Sequence, residues 1–388
     1  MEGFVFPNDV HVVWTVMIVL YPYITGLVDG AFLVCALYHC FGMGSIRPIA
    51  RFSLGSAFVF LSFATAPLLV HLGRPERAFN IMVTPNFQSA MAGFGYIYSA
   101  TMALLAVQLW FVLREDLIAR ARSDQGWTGL VCRVALLGDL HSDPETRQFD
   151  QKVVRVLAGI GIPVAVLLHG YVGFLFGSLK ANPWWSTPLM FVIFICSAVV
   201  SGIAVLIFHY MSICVLNRWR IDQDCVRLMG RLLWAFMIVA VSLEILEVLG
   251  VAYKQTEEWE YLRLLISQKL FGSFVVLQYG VLSLIPFLLL GVNALARLRD
   301  SVSNLILWIA SVMLLGQVLV MRWNVVIGGQ ILSKSYRGFT SYMPGIFERE
   351  GLAVAVTIFT LPFLILYVIH RIVPLFPRDV THPEQTAG

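Results

Sequence analysis

The sequence predicts an all-α, polytopic bundle of membrane-spanning helices. Three observations carry that prediction. Apolar types make up 59% of the 388 residues and charged types only 13%, with a mean hydropathy of +0.80. A soluble domain carries about 25% charged residues, so this chain has too little charge to cover a water-exposed surface. The apolar residues gather into nine long segments, and none alternates with the two-residue period of a β-barrel strand. The composition also excludes a disordered chain. Six cysteines, several of them inside apolar runs, do not make a disulfide-stapled scaffold.

The segments run Val12–Cys40, Ile49–His71, Ser89–Leu113, Val154–Ser178, Thr187–Leu216, Leu228–Val251, Ser267–Leu295, Ser301–Gly328 and Gly351–His370. At a rise of ~1.5 Å per residue each is long enough to cross a hydrocarbon core of about 30 Å. The expected number of spans is nine, within a range of eight to ten. The longest segments call for tilt. Pro22, Pro67, Pro163, Pro286 and Pro362 fall inside spans and predict kinks there, since neighbouring helices can satisfy the freed carbonyls. The first segment is too long for a signal peptide, and Met1–Asp9 has no Lys or Arg, so it is read as a retained helix. Residues 1–388 form a single membrane domain in this reading. Its main connections are 114–153 and 329–350, and its tail is 372–388.

Charge sets the expected orientation. Of the 27 Lys and Arg residues, 17 fall on the odd-numbered connections and the carboxyl terminus, nine on the other side, and Arg322 within a span. The positive-inside rule then puts the amino terminus outside and the carboxyl terminus inside. The 114–153 connection becomes cytoplasmic and the 329–350 connection periplasmic. The apolar stretch Trp127–Leu140 is expected to lie on the membrane surface or pack against the bundle. Ala252–Gln268 reads as a second outer loop. Gly329–Glu350, rich in Gly, Tyr, Phe and Ser, suits a packed cover or a docking surface.

Ionisable residues inside spans are expensive and mark candidate sites. Towards the outside lie His71, Arg74 and Glu76, then His169 and Tyr171, Glu244 and Glu247, and Arg322 with Asn324. Arg322 requires an acidic partner or an aqueous cleft, and Glu244 or Glu247 at similar depth would serve. These two glutamates are three residues apart and share a helix face, which suits either proton exchange or a helix-locking ion pair. Asp29 lies about 26 Å along span one, in its inward half, as a proton relay or a hydrogen-bonded packing acid. Gly26 and Gly30 flank it as a small-xxx-small face. His39, His209 and His370 lie nearer the inside, where they would ligate a haem or cap helix ends. The cysteines lack metal-site spacing, and no nucleotide loop or nucleophile elbow is present. The turn His71-Leu72-Gly73-Arg74-Pro75-Glu76-Arg77 holds charge on a fixed backbone at the membrane edge, as an interfacial anchor, a site wall or a contact for a peripheral protein.

These residues carry a family likeness. Leu72-Gly73-Arg74-Pro75-Glu76-Arg77 resembles the Leu-Gly-Arg-Pro-x-Arg signature of the polysulfide reductase/NrfD membrane subunits. Thr84 to Met91, His169-Gly170-Tyr171-Val172-Gly173, Ser197-Ala198 through Ser201-Gly202, and Arg322-Trp323-Asn324 with Gln330 resemble later family patterns, so the likeness spans roughly residues 12–335. The length suits the longer relatives, menaquinone reductase and alternative complex III membrane subunits. Asp29 stands where many relatives have a small residue, so its relay role rests on burial alone.

The resemblance implies a bacterial cytoplasmic-membrane subunit of a respiratory oxidoreductase. It would bind menaquinone or ubiquinone and hold no metal or covalent cofactor, haem included. Electrons would pass to or from a periplasmic ferredoxin-type iron–sulfur subunit, with a molybdopterin-type protein or multihaem cytochrome c beyond it. In this expectation His169 hydrogen-bonds a quinone oxygen with Tyr171 nearby, while His71, Arg74 and Asn324 complete the site. Glu244 and Glu247 exchange protons, Arg322 sets the local field, Asp29 relays protons, and Arg74, Glu76 and Arg77 dock the partner. Three other readings use the same residues: an ion or solute transporter, a membrane anchor without a quinone site, and a haem b subunit.

Overall fold

The computed structural model describes residues 12–255, 257–332 and 338–376. The residues before Val12, and 377–388 of the expected tail, lie outside the described residues. Among the described residues nine helices are long and apolar enough to cross a membrane. They are α1 (Val16–His39), α2 (Gly44–His71), α3 (Ala90–Ser123), α4 (Pro144–Gly177), α5 (Met190–Asn217), α6 (Gln223–Lys254), α7 (Glu257–Leu295), α8 (Asp300–Ile331) and α9 (Leu352–Ile372). The near face of the bundle carries the α2–α3 and α8–α9 connections. The far face carries the α1–α2 and α3–α4 connections.

Helix starts follow capping chemistry more closely than apolar boundaries. Thr15 accepts from the Met17 amide and sets the start of α1 four residues after the apolar run begins. Ser89, Asp143 and Asp222 cap α3, α4 and α6 in the same way. α2 breaks at Thr65, just before Pro67, and resumes as Ala66–His71. Pro22, Pro163 and Pro362 lie within continuous helices.

α1 is the central post. Every residue from Met17 to Phe32 is buried, and the helix packs against α2, α4, α5, α8 and α9. Its crossing with α5 is very close. A Cβ on Gly30 would stand 2.4 Å from the Ala198 carbonyl oxygen and 2.6 Å from Gly202 Cα. The small face at Gly26 and Gly30 therefore lets two backbones touch, as dispersion-driven packing in lipid favours.

Three boundaries differ from the expectation. Ala252–Gln268 is not a loop, because helix resumes at Glu257 with a charged first turn. Charged residues are good helix formers, so apolar run length misses them. Within α7, Ile266–Val281 is wound as a π-helix, a form frequent at functional sites. Both ends of the 114–153 connection are helical, since α3 continues to Ser123 and α4 begins at Pro144. Between them Trp127–Ala135 forms a short helix that packs on α3, with Cys132 fully buried and Trp110 Nε1 donating to the Ala135 carbonyl at 2.8 Å. Arg114 clamps this connection. It reaches Asp150 at 3.0 Å and Asp139 at 2.5 Å.

The described part of the 329–350 connection is tied to the bundle by polar contacts. Glu350 accepts from Thr15 Oγ1 at 2.5 Å and pairs with His71 at 2.8 Å. Tyr342 OH accepts from the Val16 amide at 3.0 Å. Residues 333–337 lie outside the described residues.

Candidate functional site

Four helices bring Asp29, His169, Ser197 and Arg322 to one buried point. Arg322, on α8, is 0% exposed. Its Nη2 donates to His169 Nε2 at 2.9 Å and to Ser197 Oγ at 2.7 Å. Its guanidinium carbon lies 3.7 Å from the Phe194 ring centroid, a cation–π geometry with α5. Because an arginine only donates, His169 Nε2 accepts and the ring proton of a neutral imidazole sits on Nδ1. That Nδ1 faces Asp29 Oδ2 at 3.4 Å.

This arrangement corrects two expectations. Asp29, just past the midpoint of α1, is not deeper than and apart from His169. It lies fourteen residues into a helix that starts at Val16, level with His169 and near the middle of α1. Nor does Arg322 take Glu244 or Glu247 as a direct partner; its hydrogen bonds go to α4 and α5.

The second cluster lies on the other side of α8. Glu244 Oε2 accepts from Gln278 Nε2 at 2.9 Å. Gln278 Oε1 accepts from Asn324 Nδ2 at 2.8 Å, and Asn324 Oδ1 accepts from Ser273 Oγ at 2.7 Å. Glu244 Oε1 has no protein partner. The cluster forms part of the wall of a cleft between α5, α6, α7 and α8, towards the near face. Trp184, Trp259, Phe274, Met190 and Val248 supply apolar walls, and Glu244, Glu247, Gln278, Tyr279 and Asn324 supply the polar groups. The α4–α5 connection closes one end, pinned to α8 by Trp184 Nε1 on the Asn324 carbonyl at 2.9 Å and Trp185 Nε1 on the Val325 carbonyl at 2.6 Å.

The other residues singled out in the sequence lie elsewhere. His169 is 1% exposed and is not part of the cleft wall. Tyr171 turns away to donate to the Ala90 carbonyl at 2.6 Å. His71 is held by Glu350. Arg74, Glu76 and Arg77 are exposed on a single 3₁₀ turn at the near face. His209 sits among Phe52, Phe208 and Phe363, and His370 against Trp219 and Phe376. Among the described residues no three His, Cys, Asp or Glu side chains converge as a metal site, and the six cysteines are free. Gln278 and Ser273 were missed from the sequence. Their only signal was a polar side chain within an apolar segment, which a search confined to ionisable groups passes over.

A family model described as "Polysulphide reductase, NrfD" matches residues 6–333. The chain belongs to the NrfD family. This NrfD-family chain is a multi-pass membrane protein whose matched region contains both polar clusters and the cleft. It is 28% identical to a selenate reductase subunit of Mesobacillus selenatarsenatis over 97% of its own length and 88% of that protein. It is 28% identical to Protein NrfD of Escherichia coli over 50% of its length and 58% of that protein. A putative dimethyl sulfoxide reductase membrane subunit of Halobacterium salinarum is 25% identical over 58% of this chain and 49% of that protein.

Proposed function

We propose that this NrfD-family chain is the quinone-binding membrane subunit of a respiratory oxidoreductase, and that the quinone ring enters the α5–α8 cleft. One observation carries the reading. Glu244, Gln278 and Asn324 form a continuous hydrogen-bonded row in the wall of a cleft whose other walls are largely apolar and aromatic, the pattern expected of a site for a flat apolar ligand with polar ends. The names of the relatives, subunits of selenate and dimethyl sulfoxide reductases, support a place beside a terminal reductase.

The chemistry follows from the wall. Quinone, two electrons and two protons give hydroquinone, or the reverse. Glu244 exchanges a proton with a ring oxygen, and Glu247 passes it onward. Gln278 and Asn324 hold the ring in register. Arg322, behind Asn324, favours negative charge on the ring oxygens. His169 is a positioning and relay group rather than a direct ligand, with Asp29 behind it. The charge bias makes the near face the outside, where Arg74, Glu76 and Arg77 meet an iron–sulfur partner that supplies or takes the electrons. Menaquinone and ubiquinone both fit this chemistry.

The test is Glu244→Gln in the purified complex, assayed with a soluble quinol analogue. Turnover is expected to fall by about 10²-fold or more, the usual weight of a general acid–base group. An intact complex turning over at the wild-type rate would overturn the assignment.

A further inference from the structure

Two cavities lie along one seam between α1, α3 and α4, and on α3 the buried Gln108 falls between the residues that line one and those that line the other. The larger opens at the far face and is lined by His39 of α1, Val112 and Asp116 of α3, and Val154 of α4. The smaller is a narrow gap beside Asp29, lined by Phe32, Thr101, Leu105 and Gly161. On α3, Thr101, Gln108 and Glu115 follow at intervals of seven residues, so they share one face. Gln108 is 0% exposed and both of its amide atoms lack a protein partner. Buried amides are seldom left unpaired, and one that is calls for a reason. The neighbouring helices keep small residues at its level, Cys35 and Ala36 on α1 and Ala158 on α4.

We infer that protons reach Asp29 from the far face along this seam, with Gln108 as its middle station. The inference rests on the quinone reading for the reaction that uses the protons: quinone, two electrons from the docked partner and two protons give hydroquinone, and oxidation sends the protons back. Water in the far-face cavity meets Gln108, whose amide accepts from one side and donates to the other. Asp29 takes up the proton, beside His169 whose Nδ1–H faces it. Phe32 is the gate. Its ring lies so close to Gly161 that a Cβ there would stand 2.1 Å from Phe32 Cζ, and in this conformation the cavity at Asp29 is too narrow for water. Rotation of Phe32 opens it.

Two measurements on the intact complex test the seam. The first needs no quinone. Gln108→Cys is exposed to a small cationic methanethiosulfonate from the far face, and the modified peptide is followed by mass. Labelling at least tenfold faster than at the buried Cys225 is expected, and labelling no faster than at Cys225 overturns the seam. The second uses vesicles with a pH dye on the far-face side. Gln108→Leu is expected to lower far-face proton exchange per quinol turned over at least tenfold, with Gln108→Glu restoring it. Wild-type exchange in Gln108→Leu overturns the seam. Rapid labelling of Gln108→Cys in a complex with no quinone-linked turnover supports the water path and overturns the quinone reading instead.

Discussion

Arg322 Nη2 and His169 Nε2 stand 2.9 Å apart, and both side chains are withdrawn from solvent. The contact joins α8 to α4 across the centre of the bundle. It also fixes which ring nitrogen of His169 carries the proton, and so turns Nδ1 towards Asp29. One hydrogen bond thus links α8, whose other side faces the cleft, to the His169–Asp29 pair.

His169→Ala removes that acceptor and leaves a buried guanidinium one partner short. A hydrogen bond to a charged group contributes about 1.5–3 kcal/mol, so a fall of that size in unfolding free energy is expected from denaturation in detergent. His169→Gln, which keeps an acceptor oxygen, should recover most of the stability but not the relay. Equal stability of His169→Ala and wild type would show that the contact carries little weight.

Arg322→Lys keeps the charge but loses the flat face that covers Phe194 while holding Nη2 between Ser197 and His169. A point charge cannot do both. A loss of at least about 1 kcal/mol is expected, along with slowed quinol turnover. Arg322→Lys matching wild type in both would reduce Arg322 to its charge alone.

Gly202→Ala puts a methyl 2.3 Å from Gly30 Cα. Overpacking costs about 1–3 kcal/mol, and here it pushes α1, and Asp29 with it, away from α5. Gly250→Ala is the control, since nothing lies within 4 Å of an added Cβ there. The first variant should lower the thermal midpoint and the second leave it unchanged or slightly raised.

The far-face clamp predicts a pH window. The His141 amide, the His141 ring and then Arg114 pull the Asp139 carboxyl down to about 2. A depressed folded value stabilises the closed connection above the unfolded value of about 3.9, and that contribution is lost as pH falls through about 2. Proteolysis of the Asp124–Asp143 connection should therefore be flat from pH 8 to about 4 and rise below it. Asp139→Asn should open it at neutral pH. Glu350 behaves alike at the near face: burial pushes its carboxyl up, but Thr15 and His71 more than offset this and hold it below the usual range.

Nine spans and most of their limits were legible in the sequence, because run length and apolarity are local properties read directly against the thickness of a bilayer. So were Asp29, His169, Glu244 and Arg322 as individuals, since a polar group in lipid is costly wherever it points. Their partners were not. Whether Arg322 meets Glu244 or His169 depends on how α8 is rotated against α4, α5 and α6. That rotation is set by contacts such as Gly30 on Gly202, which join positions far apart in the chain. Depth counted along one helix also separated Asp29 from His169, because such a count says nothing of how α1 and α4 are offset against each other. The sequence determined which side chains the membrane makes expensive. Tertiary packing decided which of them neutralise one another, because a hydrogen bond requires two helices to present the right faces at one depth.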